Sequence, residues 1–103
     1  MKRTSTYDDE LIEALKNPEE AAEYLNAALA DPNQEVFLLA LRDVIAARGG
    51  ISKLAGKATL NRISLYRMLS KRGNPQLRTL NRMLVELGFS LAIKPQHQMR
   101  SDL

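Results

Sequence analysis

Asparagine, proline and glycine recur where helix ends need them, and their spacing leaves this chain room for little but short helices. In "KNPEEAAEYLNAALADP", Asn17 is placed to cap a helix whose first residue is Pro18. Glu19 and Glu20 then set carboxylates against the positive helix end, and Ala21, Ala22, Leu25, Ala28 and Leu29 form its apolar stripe. "NQEVFLLALRDVIAARGG" starts near Asn33, repeats apolar residues at Phe37, Leu38, Leu41, Val44 and Ile45, and stops at Gly49 and Gly50. That helix is expected to be the core. Ile51 to Ala58 and Asn61 to Leu69 read as two more helices across a very short turn. "KRGNPQLRTLNRMLVELG" reads as another, with Asn74 as cap, Pro75 at its start, a stripe of Leu77, Leu80, Met83, Leu84 and Leu87, and Gly88 as terminator.

The last ordered piece changes period. "FSLAIKP" alternates Phe89, Leu91 and Ile93 with Ser90, Ala92 and Lys94, which is the spacing of a strand. An isolated strand is unstable and no second strand is evident, so it is expected to pair with its copy in another subunit. The alternative is an irregular tail packed on the domain. These segments predict one all-α domain over 1–103 with five or six helices. Its parts are a flexible start (1–9), N-terminal helices (10–47), a helix-turn-helix (51–70), a supporting helix (75–87), a possible strand (89–94) and a flexible tail (95–103).

Composition removes several function classes. There is no cysteine, hence neither a disulfide nor a thiolate zinc site, and the chain suits the reducing cytoplasm. The N-terminus lacks the apolar core of a signal peptide, and no window reaches the ~18 apolar residues of a membrane span. The single histidine, His97, lies in the tail, and no phosphate-binding glycine loop or metal-ligand spacing occurs. No catalysis, metal or cofactor is expected.

Charge is segregated. Residues 1–41 carry a net −6, residues 42–82 a net +9 and residues 83–103 none. A positive block inside a folded chain points to an anionic partner, most often nucleic acid, the alternative being a solvated basic face.

Two short helices that read DNA need apolar side chains at fixed points. The first helix presents adjacent residues of which the second is small, so that the next helix crosses close over it. Further buried residues end that helix, follow the turn and line the inner side of the second helix. Counting from Ile51, those points fall on Leu54, Ala55, Ala58, Leu60, Leu65 and Met68. All six are apolar in a chain that is 45% hydrophobic, a match expected by chance in about one register in a hundred.

The pattern leaves Asn61, Arg62, Ile63, Ser64, Tyr66 and Arg67 as candidate base readers. Arginine can bind guanine bidentately, asparagine can do so with adenine, and isoleucine can meet a thymine methyl. Asn61 has a competing role as helix cap. Tyr66 offers either a phosphate contact through its hydroxyl or a packing ring. Phosphate contacts are expected from the surrounding groups: Ser52 and Lys53 opening the first helix of the motif, Lys71 and Arg72 following the second, then Asn74, Gln76, Thr79, Arg78 and Arg82 at the next helix. For each alone, an ordinary exposed residue is the competing explanation.

Together with "YDDELIEALKNPEEAAEYLNAAL", "FLLALRDVIAARGGISKLA", "NRISLYRML" and "GNPQLRTLNRMLVELGFSL", these residues carry a resemblance. Over roughly Tyr7 to Leu91 the chain resembles the family of probable addiction-module antidote proteins, small HigA-like antitoxins. The resemblance implies a lambda-repressor-like fold and a cytoplasmic protein encoded beside a small basic RelE-like toxin. It implies neutralisation of that toxin and repression of the shared operon. A homodimer presenting two reading helices to successive major-groove faces of a palindromic site is expected to do the binding. The acidic N-terminal segment, with Asp8, Asp9, Glu10, Glu13, Glu19, Glu20 and Glu23, is then a docking surface for the toxin, or simply acidic capping. A stand-alone regulator without a toxin is the alternative function. Two residues depart from the family pattern: Thr59 stands where the tight turn usually has glycine, and Ile63 where the reading helix usually starts polar.

Overall fold

The computed structural model describes residues 5–96. It contains six helices: α1 (Ser5–Ala14), α2 (Pro18–Leu29), α3 (Gln34–Ala47), α4 (Ile51–Ala58), α5 (Arg62–Met68) and α6 (Leu77–Glu86). The starts of α2 and α3 follow the expected chemistry. The Asn17 side chain accepts from the backbone N–H of Glu19 and Glu20 at 2.9 and 3.1 Å. Asn33 accepts from that of Glu35 at 2.9 Å. Each bond satisfies a donor that has no partner inside its helix.

Helix α3 is the centre, packing against α1, α2 and α4. Phe37, Leu38, Leu41, Val44 and Ile45 are all buried, as their spacing predicted. One core draws on every helix: Leu15 closes α1 onto it, and Ala21, Leu25, Leu54, Ala55, Leu65, Met83 and Leu84 complete it. None of the described helices is long and apolar enough to cross a membrane.

Three helices end by the same device, in which an N–H reaches back five residues across a residue of positive φ. Gly50 N–H bonds the Ile45 carbonyl across Gly49, and Phe89 N–H the Leu84 carbonyl across Gly88, both at 2.8 Å. At the end of α4, Leu60 N–H bonds the Ala55 carbonyl at 2.9 Å across Thr59.

Several expectations are corrected. No strand forms among the described residues: 89–94, expected as a strand, is irregular, and Ile93 is 99% exposed. An apolar–polar alternation of six residues gains nothing as a strand when every other described element is helical. Only Phe89 of its apolar residues packs on the core. Helix α1 begins at Ser5, so residues 5–9 are helical and not a flexible lead-in; residues 1–4 lie outside the described part, as do His97 and the rest of the tail. Helix α6 starts two residues later than expected, with Gln76 and not Asn74 at the cap position. Asn74 is engaged elsewhere, accepting from Gln34 Nε2 at 3.4 Å. Leu29 and Leu77, assigned to buried stripes, are 56% and 71% exposed because they sit in the end turns of α2 and α6, past the rim of the core.

Candidate nucleic-acid interface

The two short helices α4 and α5 pack against each other across a turn of three residues. Leu54, Ala55, Ala58 and Leu65 are buried, and Leu60 and Met68 are half-buried against the core. The turn depends on Thr59, whose φ of 57° and ψ of 49° put a β-branched residue in the left-handed region. That backbone lets Leu60 drop onto the core while the chain reverses into α5. A side chain there costs about 1–2 kcal/mol relative to the right-handed conformation.

Asn61 caps α5: its Oδ1 accepts from the Ser64 N–H at 3.0 Å. The carbonyl of that side chain is therefore committed to the helix. From Asn61 the helix turns Leu65, which is fully buried, inward, and Ile63, Tyr66 and Arg67 outward, with Arg62 and Ser64 on the flanks. Ile63 is 67% and Tyr66 58% exposed, so Tyr66 is a surface group and not a packing ring. The result is an exposed helix side bearing two guanidiniums, a hydroxyl, a phenol and a branched apolar side chain. Each of these is suited to a base edge or a phosphate.

The flanking candidates separate into groups. Ser52 and Arg62 are brought together, with Arg62 Nη1 donating to Ser52 Oγ at 2.9 Å; Ser52 thus anchors a guanidinium that keeps further donors for a ligand. Lys53, Lys71, Arg72, Gln76 and Arg78 are exposed. Thr79 is half-buried, and Asn74 faces Gln34, whose Nε2 also donates to the Gly73 carbonyl at 3.1 Å. Gly73 itself lies tight against the end of α5, since a Cβ there would stand 1.8 Å from the Met68 carbonyl oxygen.

Three cations of the basic stretch bond helix-end carbonyls of the fold, Arg48 half-buried and Arg42 and Arg82 still exposed. Arg82 Nη1 donates to the Ala58 carbonyl at the end of α4 at 3.4 Å. Arg42 donates to the Leu69 carbonyl at the end of α5. Arg48 Nε donates to the Leu87 carbonyl at the end of α6 at 2.8 Å, reaches the Lys16 carbonyl at 3.2 Å, and stands 5.3 Å over the Phe89 ring. Arg82, read from sequence as a phosphate candidate, reaches a helix-end carbonyl while remaining exposed. The roles of Arg42 and Arg48 were not evident in the sequence; only the place of Arg48, just ahead of Gly49 at a helix end, hinted at carbonyl contact.

A family model described as "Probable addiction module antidote protein" matches residues 4–95. An uncharacterized protein of Haemophilus influenzae (strain ATCC 51907 / DSM 11121 / KW20 / Rd) is 34% identical over 87 residues, which cover 84% of this chain and 89% of that protein. No solved structure matches the chain.

Proposed function

Since this chain belongs to the family of probable addiction module antidote proteins, we propose that it is the antidote of a toxin–antitoxin pair and also a DNA-binding repressor of its own operon. Its fold on this reading is a lambda-repressor-like helix-turn-helix, with α4 as the supporting helix and α5 as the reading helix. The observation that carries the DNA-binding part is the exposed side of α5. Arg62, Ile63, Ser64, Tyr66 and Arg67 stand in solvent above a Leu65 that is fully buried. Taken together on one exposed helix side, two guanidiniums, a hydroxyl, a phenol and a branched apolar group suit the base edges and phosphates of a major groove.

The protein acts in the cytoplasm as a homodimer, presenting two α5 helices to successive major-groove faces about 34 Å apart on a palindromic operator. Repression follows by excluding polymerase. Lys53, Lys71, Arg72 and Arg78 supply phosphate contacts, which position the dimer without reading sequence. The toxin is a small basic protein of RelE-like type, held through the acidic N-terminal helices.

Two experiments test this. Gel-shift titration on DNA from upstream of the gene should show specific, salt-dependent binding. Co-expression with the small basic protein encoded alongside should relieve growth arrest and yield a stable complex. Specific DNA binding without any toxin binding would leave a stand-alone regulator.

A further inference from the structure

Helix α3 carries six consecutive apolar residues, Val36 to Leu41, which is apolar around the whole circumference of a helix. The fold covers one side only. Phe37, Leu38, Ala40 and Leu41 are buried, whereas Val36 and Leu39 are 37% and 42% exposed. These two side chains line a pair of adjoining clefts of about 260 and 280 Å³, one reaching to Tyr24 and Ala27 of α2, the other to Arg42 and Lys71. Together they make a shallow apolar trough along the outer side of α3, running from α2 to the loop that follows α5.

The charge around the trough selects its occupant. Residues 5–35 hold nine carboxylates and a single lysine. Glu35 lines the trough beside Val36, and Glu20 and Glu23 lie within a turn of Tyr24 and Ala27 on α2. A second copy docking here by two-fold symmetry would set this acidic surface against itself. At the far end Arg42, bonded to the Leu69 carbonyl, and Lys71 are the two cations of the lining, against Glu35 beside Val36 and Glu20 and Glu23 on α2. We infer that the α2–α3 trough docks an apolar segment of a basic partner protein, flanked by lysine or arginine that meets Glu20, Glu23 and Glu35. Resting on the antidote reading, the partner is the toxin, and this surface meets the proposed DNA surface only at its Lys71 end.

The test measures binding of the purified small basic protein encoded alongside to the full chain, by calorimetry. Leu39→Glu and Val36→Glu each place a charge in the trough and should weaken binding by at least about 30-fold, as for a central contact of a protein interface. Both residues are already partly exposed, so the thermal midpoint and gel-shift affinity for DNA should stay near wild type. If either variant is poorly folded, Leu39→Ala and Val36→Ala decide instead, with a loss of about 5-fold or more expected. Paired Glu20→Lys and Glu23→Lys should weaken binding by about 10-fold at low salt and less at high salt. Trough variants that bind like wild type while the wild-type chain binds tightly overturn the trough and leave the antidote reading standing. A wild-type chain that does not bind the basic protein overturns both. Conversion of a wild-type dimer to monomer by Leu39→Glu, with binding intact, assigns the trough to a second copy and overturns the inference.

Discussion

The outer side of α5 and the carbonyl ends of α4, α5 and α6 draw their cations from one stretch, residues 42–82, and use them in opposite ways. Arg82, Arg42 and Arg48 turn onto the Ala58, Leu69 and Leu87 carbonyls. There a cation satisfies an acceptor with no partner in its helix and opposes the negative helix end. Arg67 and Ile63 face solvent. Net charge over a segment therefore overstates the surface offered to an anion: of ten cations in the stretch, these three are engaged in holding the helices together. What separates the groups is distance to a helix end contributed by another part of the chain.

The strongest way to break this division is Arg48→Met. The change keeps the bulk of the side chain but removes two hydrogen bonds to carbonyls and the contact over Phe89. A charge-assisted bond of this kind contributes about 1.5–3 kcal/mol and the ring contact about 0.5–1 kcal/mol, so a loss of about 3 kcal/mol is expected. In a domain of this size that lowers the thermal midpoint by more than about 10 °C. Below that midpoint, DNA affinity should be unchanged. A thermal scan matching wild type would move Arg48 into the solvent-facing group.

Arg67→Ala probes the opposite group. Specific operator affinity should fall by about 1–3 kcal/mol, as for a base-reading arginine, with stability altered by no more than about 0.5 kcal/mol. Arg62→Ala should behave similarly, and comparison with Ser52→Ala sharpens it: the serine only orients the guanidinium, so its removal should cost less. Equal affinity of Arg67→Ala and wild type in gel shift would remove Arg67 from the proposed base-reading residues.

How far the sequence disclosed this arrangement depends on how local each cause is. Asn17, Asn33 and Asn61 cap helices through bonds to N–H groups two or three residues away, so their roles were visible in the spacing. The apolar series from Ile51 to Met68 was legible for the same reason. Asn74 had the look of a cap but meets Gln34, forty residues upstream, and α6 begins two residues later than expected, after Gln76. Leu29 and Leu77 follow the stripe in sequence, yet the core ends before it reaches them. The alternation at 89–94 is a two-residue period without a backbone partner, and period alone does not supply one. The arginine clamps were hidden because each joins residues 24 to 39 positions apart.

Thr59→Gly tests the scaffold that presents α5. Gly49 and Gly88 occupy the equivalent positions at the ends of α3 and α6, and Thr59 is the one non-glycine residue at positive φ among the described residues. Glycine relieves about 1–2 kcal/mol of backbone cost but loses up to about 1 kcal/mol through the freer unfolded chain, so a net gain of about 1 kcal/mol is expected. The thermal midpoint should rise by several degrees, with operator affinity near wild type, since both residues support the same turn. A lower midpoint would mean that the Thr59 side chain contributes more to the turn than its backbone costs.

The smallest effect belongs to Lys71→Ala. Lys71 is exposed on the loop leaving α5, and no hydrogen bond or ion pair holds it among the described residues, so stability should shift by less than about 0.5 kcal/mol. As a phosphate contact it displaces about one counterion, and the logarithmic salt dependence of DNA binding should flatten by about one unit of slope, for operator and unrelated DNA alike. The parallel measurement on Arg82→Met separates the two kinds of cation most finely. Arg82 is next to an α4 carbonyl, so its loss should lower stability while leaving the salt slope as in wild type. Equal slopes for Lys71→Ala and wild type would show that lying beside the reading helix is not enough to make a cation part of the DNA surface.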